Sequence, residues 1–485
     1  MKLSDLKSRF PWKAARGDLN VIVTGVSSDS RRVAPRDIFL CFTGEKHDGH
    51  DFALDALKKG AVGIVAQKKI SFLPKDTPIF FADNVREIAG PLCSLIYGEP
   101  SRKLKVIGVT GTSGKTTTTY FLRSSLEQAG KRVELVGSLN PTPEFPFHTT
   151  PEAPALQKRL KEILDSGTEY AIVEVSSHAI HFGRVNGISF CGALLTNIYR
   201  DHLDLHQTEE EYAQAKLKWL KSVLEQGEVA VNLDFPKSKD SLEFLGKKAR
   251  TYSLRERADI SGRILNSDYK GSVVQASFPG GELNFQVSLP GEVNASNSLA
   301  AFTILFYLGV EPSLIAKGLS ALKEVTGRYR LLVAPWGAKV LIDYAHTPVA
   351  LERTLVFAQT LGKRVILVFG CVGSGDKGKR PVMGQIAGKL AHRIFVTTDD
   401  PREENPISTM EEIEVGLLSE GLKEGEQFFM VPDRREAIKK AVKSSEQGDI
   451  VVLAGRGHER YQRFKDELVY LDDEEEARRA MGDYG

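Results

Sequence analysis

The chain has 485 residues, which is too long for one hydrophobic core and predicts two to four domains. Hydrophobic residues make up 41% and charged residues 26%, and the formal net charge of +2 gives no reason to expect nucleic acid or an anionic membrane as a partner. The first residues lack the apolar segment of a signal peptide, no stretch approaches the roughly 20 apolar residues of a membrane span, and the four cysteines are far apart in the sequence. We therefore expect a cytoplasmic protein with free thiols.

The first hundred residues predict a small α/β unit. Strands are predicted at 37–42, 61–65 and 78–81, and a helix at 53–59. The segment 27–33 (Ser27-Ser28-Asp29-Ser30-Arg31-Arg32-Val33) precedes the first strong strand. Its hydroxyls and charges suit a sugar or a diphosphate, but taken alone it is more simply explained as a polar loop with helix-capping residues.

Residues 108–117 predict a phosphate-binding loop, around which the rest of the chain is organised. Their sequence is Gly108-Val109-Thr110-Gly111-Thr112-Ser113-Gly114-Lys115-Thr116-Thr117. An apolar strand precedes the loop and a helical pattern follows it, which is the context that such a loop requires and which disfavours a plain tight turn. Glycines let backbone N–H groups surround phosphate oxygens, Lys115 can contact the outer phosphates, and the Thr116 hydroxyl can ligate Mg²⁺.

Two more polar side chains follow predicted strands of the same unit. Glu174 ends the apolar run 170–173, and His202 comes shortly after the strand 193–198. Ligands collect at the carboxyl ends of parallel strands, so both residues are candidates for the nucleotide site, although either alone could be an ordinary polar residue. Beyond a charged helix at 209–218, the segments 272–277 and 282–289 predict a small antiparallel annex, followed by a helix entered through 294–297.

The last third of the chain predicts four strands, each followed at once by a polar cluster. The clusters are Asp343-Tyr344-Ala345-His346-Thr347-Pro348, Gly375-Asp376-Lys377-Gly378-Lys379-Arg380-Pro381, Asp399-Asp400-Pro401-Arg402 and Gly455-Arg456-Gly457-His458-Glu459. Four clusters after four strands indicate one edge of one sheet and hence one site. Guanidinium groups suit a carboxylate and acids suit an ammonium, so the sequence favours a zwitterionic amino acid as the ligand.

Together these motifs resemble the Mur ligases, the ATP-dependent amide synthetases of bacterial peptidoglycan assembly, over essentially the whole chain. Within the family the resemblance is greatest to the members that add the third residue of the stem peptide. The matches that carry it are Asp29-Ser30-Arg31, the loop 110–117, Thr149-Thr150-Pro151, Glu174-Val175-Ser176-Ser177-His178, Asp201-His202-Leu203-Asp204, Asp343-Tyr344-Ala345-His346-Thr347-Pro348, Gly378-Lys379-Arg380-Pro381 and Gly457-His458-Glu459.

The resemblance implies three α/β domains: a UDP-sugar-binding domain at 1–101, a central domain at 102–326 with a parallel sheet, a phosphate loop and the antiparallel annex, and a Rossmann-like amino-acid-binding domain at 327–485. It also implies roles for individual residues. Catalysis would involve Lys115, Glu174, His202 and Lys216. ATP would be bound by Gly111, Thr112, Ser113, Gly114, Lys115, Thr116, Thr117, Asn294, Asn297, Arg328, Asp343 and His346. The UDP-muramoyl-peptide would be bound by Ser28, Asp29, Ser30, Thr149, Thr150, Ser176, Ser177 and Arg184. The amino acid would be bound by Arg380, Asp400, Arg402, Gly455 and Glu459. Mg²⁺ would be held by Thr116, Glu174, His202 and Lys216, the lysine acting as a carbamate.

Two positions depart from the family pattern. The family signature for meso-diaminopimelate is Asp-Asn-Pro-Arg, whereas this chain has Asp399-Asp400-Pro401-Arg402. Arg402 keeps the guanidinium for a distal carboxylate, but Asp400 replaces a neutral amide with an acid that would favour an extra ammonium. Arg456 stands where lysine is usual, which keeps the charge. The amino acid is therefore expected to be meso-diaminopimelate, with L-lysine as the alternative.

The expected reaction joins that diamino acid to UDP-N-acetylmuramoyl-L-alanyl-D-glutamate through an acyl phosphate, with ATP and Mg²⁺ as cofactors and with a monomer acting on small molecules only. The group that deprotonates the amine is left open between His202, Glu174 and others. Three other functions are considered. A folylpolyglutamate synthetase shares the loop but not the Asp29-Ser30-Arg31 unit, a nucleotide switch leaves the four clusters unused, and an inactive scaffold would not need Lys115 or Lys216.

Overall fold

The computed structural model describes residues 1–44, 47–142, 148–465 and 467–482. Its main sheets have five, nine and six strands and follow one another along the chain, with a two-stranded hairpin near the C-terminal end. The predicted mixed α/β class is confirmed. The predicted domain limits at residues 101 and 326 fall in the connections between the sheets and stay predictions. No helix in the described ranges is both long and apolar enough to cross a bilayer.

The first sheet has the strand order β1-β5-β4-β3-β2. Its strands are β1 (Ala14–Arg16), β2 (Gly25–Ser27), β3 (Asp37–Leu40), β4 (Gly63–Ala66) and β5 (Ile79–Phe81), and its helices are α1 (Ala53–Lys58) and α2 (Val85–Ile96). Strands β2 to β5 are parallel. The polar segment Ser28 to Ser30 therefore lies at the carboxyl end of β2, at the edge of the sheet where ligands collect.

The nine-stranded sheet carries the phosphate loop. Its strands and helices are β6 (Lys105–Thr110), α3 (Lys115–Gln128), β7 (Val133–Val136), α4 (Ala153–Asp165), β8 (Tyr170–Glu174), α5 (Ser177–His181), β9 (Phe190–Leu195), α6 (Leu203–His206), α7 (Glu209–Val223), β10 (Glu228–Asn232), α8 (Pro236–Leu245), β11 (Arg250–Ser253), β12 (Ile260–Asp268), β13 (Gly271–Phe278), β14 (Gly281–Val287), α9 (Glu292–Tyr307) and α10 (Pro312–Ala321). The order is β7-β8-β6-β9-β10-β11-β12-β13-β14, so β6 lies between β8 and β9 and the loop after β6 sits where the chain crosses over.

The predicted antiparallel annex is present as β12, β13 and β14, and it is joined to the main sheet because β12 pairs in parallel with β11. Helix α9 begins at Glu292, so the predicted entry segment 294–297 lies in its first two turns. Apolar residues of α3, α9 and α10 pack on one face of the sheet, and those of α4 and α7 pack on the other.

The third sheet has the order β15-β16-β20-β17-β18-β19. Its elements are β15 (Arg330–Val333), β16 (Lys339–Asp343), α11 (Pro348–Leu361), β17 (Val365–Phe369), α12 (Lys379–Leu390), β18 (Arg393–Val396), α13 (Pro406–Ser419), β19 (Phe428–Met430), α14 (Arg434–Lys443) and β20 (Ile450–Ala454); the hairpin β21 (Tyr461–Phe464) and β22 (Glu467–Tyr470) and helix α15 (Asp473–Met481) follow. Strands β16, β20, β17 and β18 are adjacent and parallel, so the four polar clusters do share one edge of one sheet, as predicted.

Candidate active site between the central and C-terminal sheets

The phosphate loop is held in shape by the strand beside it. Asn197, beyond β9, accepts a hydrogen bond from the Ser113 backbone N–H at 2.9 Å and donates one to the Ser113 carbonyl at 3.1 Å. The Lys115 ammonium folds back onto the loop, donating to the carbonyls of Gly111 and Thr112 at 2.8 and 2.9 Å. Burial lowers the pKa of Lys115. The loop is thus closed around a single buried cation, which is how a lysine is held for phosphate binding.

Oxygen ligands suitable for Mg²⁺ converge beside this cation. The Thr116 hydroxyl donates to Glu174 Oε2 at 3.0 Å, and the Ser138 backbone N–H donates to Glu174 Oε1 at 3.0 Å. Glu174 is 2% exposed, and burial raises its pKa although Lys115 and Arg328 oppose the shift. A buried carboxylate next to a threonine hydroxyl is the donor set that a hard divalent cation prefers. The residues therefore fit the Mg²⁺ that the resemblance implies.

His202 lines the same cavity as the phosphate loop, and Lys216, on another part of the fold, is near enough for its charge to influence Lys115 and His202. Lys216 projects from α7, is 1% exposed, and has its ammonium 4.3 Å from the centre of the Tyr212 ring. Burial and the charge of Lys115 hold its pKa well below the usual lysine value, whereas Asp201 opposes the shift. Within the described ranges no carboxylate oxygen lies within 4.0 Å of this ammonium. An amine buried in this way is favoured as the neutral, nucleophilic form.

His202 is positioned by an unusual backbone conformation. Its φ is +54°, in the left-handed region that few residues other than glycine adopt, so the surrounding structure must stabilise it. Its ring packs edge-on against His178 at 4.7 Å, and its Nε2 is 3.4 Å from Asp201 Oδ2. Burial lowers the pKa of His202 to about 3, so the ring is neutral and can offer a nitrogen lone pair to a metal or a proton.

The phosphate loop, Glu174 and His202 line one cavity of about 200 Å³ between the central and C-terminal sheets, whereas Lys216 does not line it. All of the predicted ATP-binding residues except Gly111 line it, and Glu174, His202, Thr149 and Ser176 line it too. From the C-terminal side, Arg328 donates to the Thr116 hydroxyl at 3.2 Å, and Thr354 donates to the buried carboxylate of Asp343 at 3.0 Å. A neighbouring cavity of about 400 Å³ shares the lining residues Val293, Tyr329 and Arg353 with it.

The central and C-terminal domains are joined across this cleft by an ion pair. The Arg200 guanidinium donates through Nε and Nη2 to the Asp376 carboxylate, at 3.1 and 3.2 Å. Arg200 follows β9 and Asp376 follows β17, so the pair ties the carboxyl ends of the two sheets together. His346, after β16, also approaches Asp201 from across the cleft, with 4.0 Å between Nε2 and Oδ2.

A third cavity, of about 770 Å³, has the predicted amino-acid-binding residues Asp400 and Glu459 in its wall, whereas Arg380, Arg402 and Gly455 do not line it. It shares Ser138, Thr149 and Tyr344 with the nucleotide cavity, so the two spaces adjoin. Tyr344 donates its hydroxyl to Glu459 Oε1 at 3.0 Å. Burial raises the pKa of Glu459 to about 7, with Asp399 and Asp400 adding to the shift and Arg456 opposing it.

The two positions that depart from the family pattern pair with each other. Arg456, which is fully buried, donates through Nη1 to Asp400 Oδ1 at 2.6 Å and lies 3.4 Å from Asp399. Arg463, on β21, donates through Nε to the other oxygen of Asp400 at 3.1 Å. The extra carboxylate at position 400 is therefore already compensated by two guanidinium groups, so it does not need an ammonium from the amino acid.

Arg402 and Arg380 differ in how their charges are compensated. Arg402 has φ of +54° and a buried Nε without a hydrogen-bond partner, and no acid among the described residues lies within 4.0 Å of its guanidinium. Arg380 is fully buried and is paired through Nη1 with Glu404 at 2.9 Å and Glu412 at 3.0 Å. Among the described residues Arg402 therefore makes no ion pair within 4.0 Å, whereas Arg380 is engaged by acids of its own domain. Gly455, with φ of +109°, lies against the Asp399 carboxylate, where a Cβ would come within 2.7 Å of Oδ2.

The predicted UDP-muramoyl-peptide residues lie in two places. Ser28 and Asp29 line a cavity of about 450 Å³ between β2 and the start of α4, and Asp29 is paired with Arg31 at 2.9 Å. Ser30 does not line it. The remaining residues of the set lie at the nucleotide cavity or behind it: the Thr150 hydroxyl donates to the Glu174 carbonyl at 2.6 Å, and Arg184 donates to the Thr150 carbonyl at 3.0 Å.

Some residues at the site were not predicted. Ser138 binds Glu174 and lines both cavities, and Tyr344, although part of a recognised motif, had been given no role. Ser138 comes just after β7, so the rule that ligands gather at carboxyl ends of strands could have found it. Arg463 lies on a hairpin distant in sequence from the clusters, and no pattern pointed to it.

Family models match most of the chain. The Mur ligase middle domain matches residues 109–305, the Mur ligase glutamate ligase domain matches 327–457, and the Mur ligase family catalytic domain matches 22–89. The UDP-N-acetylmuramoyl-L-alanyl-D-glutamate–2,6-diaminopimelate ligase of Syntrophomonas wolfei is 36% identical over 480 residues, covering 98% of this chain and 97% of the relative. The enzyme of the same name from Parabacteroides distasonis is 37% identical over 489 residues, covering 99% and 98%.

Solved structures give the same family. A structure of a UDP-N-acetylmuramoyl-L-alanyl-D-glutamate–2,6-diaminopimelate ligase has a TM-score of 0.67 and 28% identity, covering 100% of this chain and 99% of that one. The MurF ligase of Thermotoga maritima in complex with ADP has a TM-score of 0.65 at 19% identity and covers 89% and 94%, which shows a shared fold.

A phosphate loop that faces a charged cavity on a second α/β sheet, with a smaller α/β sheet before both, defines a three-part nucleotide-dependent ligase. The chain belongs to the Mur ligase family of ATP-dependent ligases. The family predicted from the sequence motifs is thereby confirmed.

Proposed function

We propose that the protein joins meso-diaminopimelate to UDP-N-acetylmuramoyl-L-alanyl-D-glutamate, converting ATP to ADP and phosphate, in the cytoplasmic stage of peptidoglycan synthesis. The observation that carries the proposal is that the nucleotide cavity and the amino-acid cavity adjoin through Ser138, Thr149 and Tyr344. An amine held in the second cavity can then reach a carboxyl group activated in the first. Loss of the activity would be expected to affect cell shape and division, which depend on the wall.

The first half of the reaction makes a poor electrophile reactive. The γ-carboxylate of the D-glutamyl residue attacks the terminal phosphorus of ATP, forming an acyl phosphate and releasing ADP. Lys115 would neutralise charge on the phosphoryl oxygens. Mg²⁺, held by Thr116, Glu174, His202 and Lys216, would add positive charge there. Enclosure between the two domains would protect the acyl phosphate from water.

Lys216 would act as a carbamate. A buried amine with no acid beside it is disposed to the neutral form, and a neutral amine adds to CO₂ and loses one N–H proton to solvent to give a carbamate. The product is an anion where the amine was neutral, which suits a position near the bound cation. The edge of the cavity nearest α7 would then offer an oxygen ligand that the unmodified lysine lacks.

In the second half, the amine of the diamino acid attacks the acyl phosphate, and phosphate leaves from the tetrahedral intermediate. Arg402 would bind the distal carboxylate of the amino acid, and Glu459 the ammonium on the same carbon. L-Lysine has no distal carboxylate and would leave the buried Arg402 without a partner, so the proposal favours meso-diaminopimelate. L-Lysine remains the second candidate because the family signature is altered at Asp400.

The UDP end of the substrate would lie in the cavity that Ser28 and Asp29 line, with the muramoyl-peptide reaching Thr149, Thr150, Ser176, Ser177 and Arg184. The cavity of about 400 Å³ beside the loop has an aromatic wall, where the Arg353 guanidinium lies 4.5 Å from the centre of the Phe235 ring, and it would take the base of the nucleotide.

The test is a phosphate-release assay with ATP, UDP-N-acetylmuramoyl-L-alanyl-D-glutamate and either meso-diaminopimelate or L-lysine, with the product identified by mass. We expect release that requires all three substrates and a kcat/KM at least about a hundredfold higher for meso-diaminopimelate. Lys115→Ala is the inactive control. Release that does not depend on the muramoyl substrate, or a product formed only with L-lysine, would overturn the proposal.

A further inference from the structure

Six charged side chains meet where the loop after β18 contacts the loop after β20 and the hairpin strand β21. The acids are Asp399, Asp400 and Glu459, and the cations are Arg402, Arg456 and Arg463. One carboxylate oxygen of each acid lies within 4.8 Å of an oxygen of each of the other two. Arg456, inserted among them, lies within 4.0 Å of each acid. With all groups ionised the charges balance, so a zwitterionic amino-acid end can enter without leaving a net buried charge.

The position of Arg463 is fixed by its hydrogen bonds with Asp400. Its backbone N–H donates to Asp400 Oδ1 at 3.2 Å and its Nε donates to Oδ2 at 3.1 Å, so Asp400 fixes both the strand and the side chain. The Arg463 carbonyl in turn accepts the Arg402 backbone N–H at 2.9 Å. Arg402 and Arg463 therefore run side by side on neighbouring segments.

The positive charges of Arg402 and Arg463 are also close enough to influence each other. Burial lowers the pKa of Arg402, the positive charge of Arg463 adds to the shift, and Asp400 and Glu459 oppose it. Arg463 lines the amino-acid cavity with Glu459 and Tyr344, and a third of its side chain (33%) is exposed there. Two adjacent cations in a partly buried position favour an anion between them, and a carboxylate is the anion that guanidinium groups bind best.

We propose that Arg463 is a specificity-determining residue that, with Arg402, forms a two-guanidinium receptor for a second carboxylate on the incoming amino acid. Asp400 is the positioning residue that aims Arg463 into the cavity. This inference rests on the proposed function and extends it, since it assigns selection of a dicarboxylic diamino acid to a residue outside the recognised motifs. The acid at position 400 then supports the selection of meso-diaminopimelate rather than shifting it toward L-lysine.

The experiment compares Arg463→Gln with Arg460→Gln in the full-length enzyme. Arg460 lies on the wall of the same cavity but is paired with Asp472 at 3.1 Å and is 62% exposed, so it serves as a matched control. For Arg463→Gln we expect the KM for meso-diaminopimelate to rise at least about tenfold with kcat changed less than about threefold, and kcat/KM for L-lysine to stay within about twofold. Arg460→Gln should leave all three values within about twofold.

Two further variants, Arg463→Lys and Asp400→Asn, distinguish a role of Arg463 in binding from a role in stability. Arg463→Lys retains the charge but cannot bind Asp400 and a carboxylate at once with a planar group, so its KM for meso-diaminopimelate should also rise while its thermal transition stays near that of the wild type. Asp400→Asn should raise that KM through Arg463, and should add little in the Arg463→Gln background. Equal losses for both amino acids, or no change in the KM for meso-diaminopimelate, would overturn the inference. If the wild-type enzyme uses neither amino acid, the proposed function itself fails.

Discussion

Gly114 of the phosphate loop provides the sharpest structural prediction, because two independent features exclude a side chain there. Its φ is +83°, and a Cβ would lie 2.4 Å from Asn297 Oδ1 on α9. We expect Gly114→Ala to weaken ADP binding, since relief of the strain requires either the loop or α9 to move away from the phosphate position.

The size of the effect follows from both features. Placing alanine in the left-handed region costs about 1–2 kcal/mol, and pushing Asn297 from its rotamer about 0.5–1.5 kcal/mol more. A combined cost of about 1.5–3.5 kcal/mol corresponds to a roughly 10- to 400-fold loss if all of it falls on nucleotide binding. Calorimetric titration with ADP and Mg²⁺ measures that share, and the thermal transition measures the remainder.

The matched control is Gly130→Ala, just beyond the other end of α3. Gly130 also has a positive φ, of +74°, but a Cβ there would meet nothing within 4 Å. This variant should lose about 1 kcal/mol of stability and bind ADP as the wild type does. If Gly114→Ala matches Gly130→Ala in both measurements, the argument that α9 closes on the loop is wrong.

Three other predictions follow from the same geometry. Lys216→Ala should lower kcat at least about a thousandfold and recover partly when a short carboxylic acid is added, as measured by phosphate release; unchanged activity would show that a carbamate is not needed. Arg200→Ala removes a half-exposed ion pair with Asp376 worth about 1 kcal/mol, so the KM for ATP should rise about fivefold with little change in the thermal transition; an unaltered KM would count against the pair as a closing contact. Glu459, with its pKa raised to about 7, is mostly protonated at pH 6 and mostly charged at pH 8, so the KM for the amino acid should fall about tenfold between these values, and Glu459→Gln should abolish that dependence; a wild-type KM independent of pH would refute it.

The elements that the sequence predicted well are those with local signals. The loop after β6 is marked by glycines, lysine and threonine between a strand and a helix, and each polar cluster of the last third follows a strand of four or five residues. Because the carboxyl ends of parallel strands meet at one edge, adjacency of the clusters could be predicted without knowing the strand order. The order β16-β20-β17-β18 bears this out.

Features that depend on contacts between distant residues could not be predicted. Asp400 and Arg456 are far apart in the sequence, and each looked like an isolated departure from the family pattern until the structure paired them at 2.6 Å. Arg380 and Arg402 carry the same guanidinium group. Glu404 and Glu412 pair with Arg380, whereas no acid among the described residues lies within 4.0 Å of Arg402. Composition and spacing do not indicate which of the two arginines forms ion pairs with acids of the chain and which does not.

The same limit applies to the helix and sheet boundaries. The sequence predicts that a helix is entered through 294–297, and α9 begins two residues earlier, at Glu292, with Asn294 and Asn297 buried in its first two turns. The hairpin of β13 and β14 could be predicted because its turn signal is strong and local, whereas its attachment to the main sheet depends on the pairing of β12 with β11, which has no local signal.

The central claim is that a carboxylate activated at the phosphate loop is passed directly to an amine in the adjoining cavity. Substrate labelled with ¹⁸O in the D-glutamyl γ-carboxylate tests it, because an acyl phosphate transfers one carboxylate oxygen to the phosphate that leaves. Mass analysis of the released phosphate should show one ¹⁸O atom for each amide bond formed, and only when ATP, the muramoyl substrate and the diamino acid are all present. Unlabelled phosphate accompanied by amide product would contradict the account.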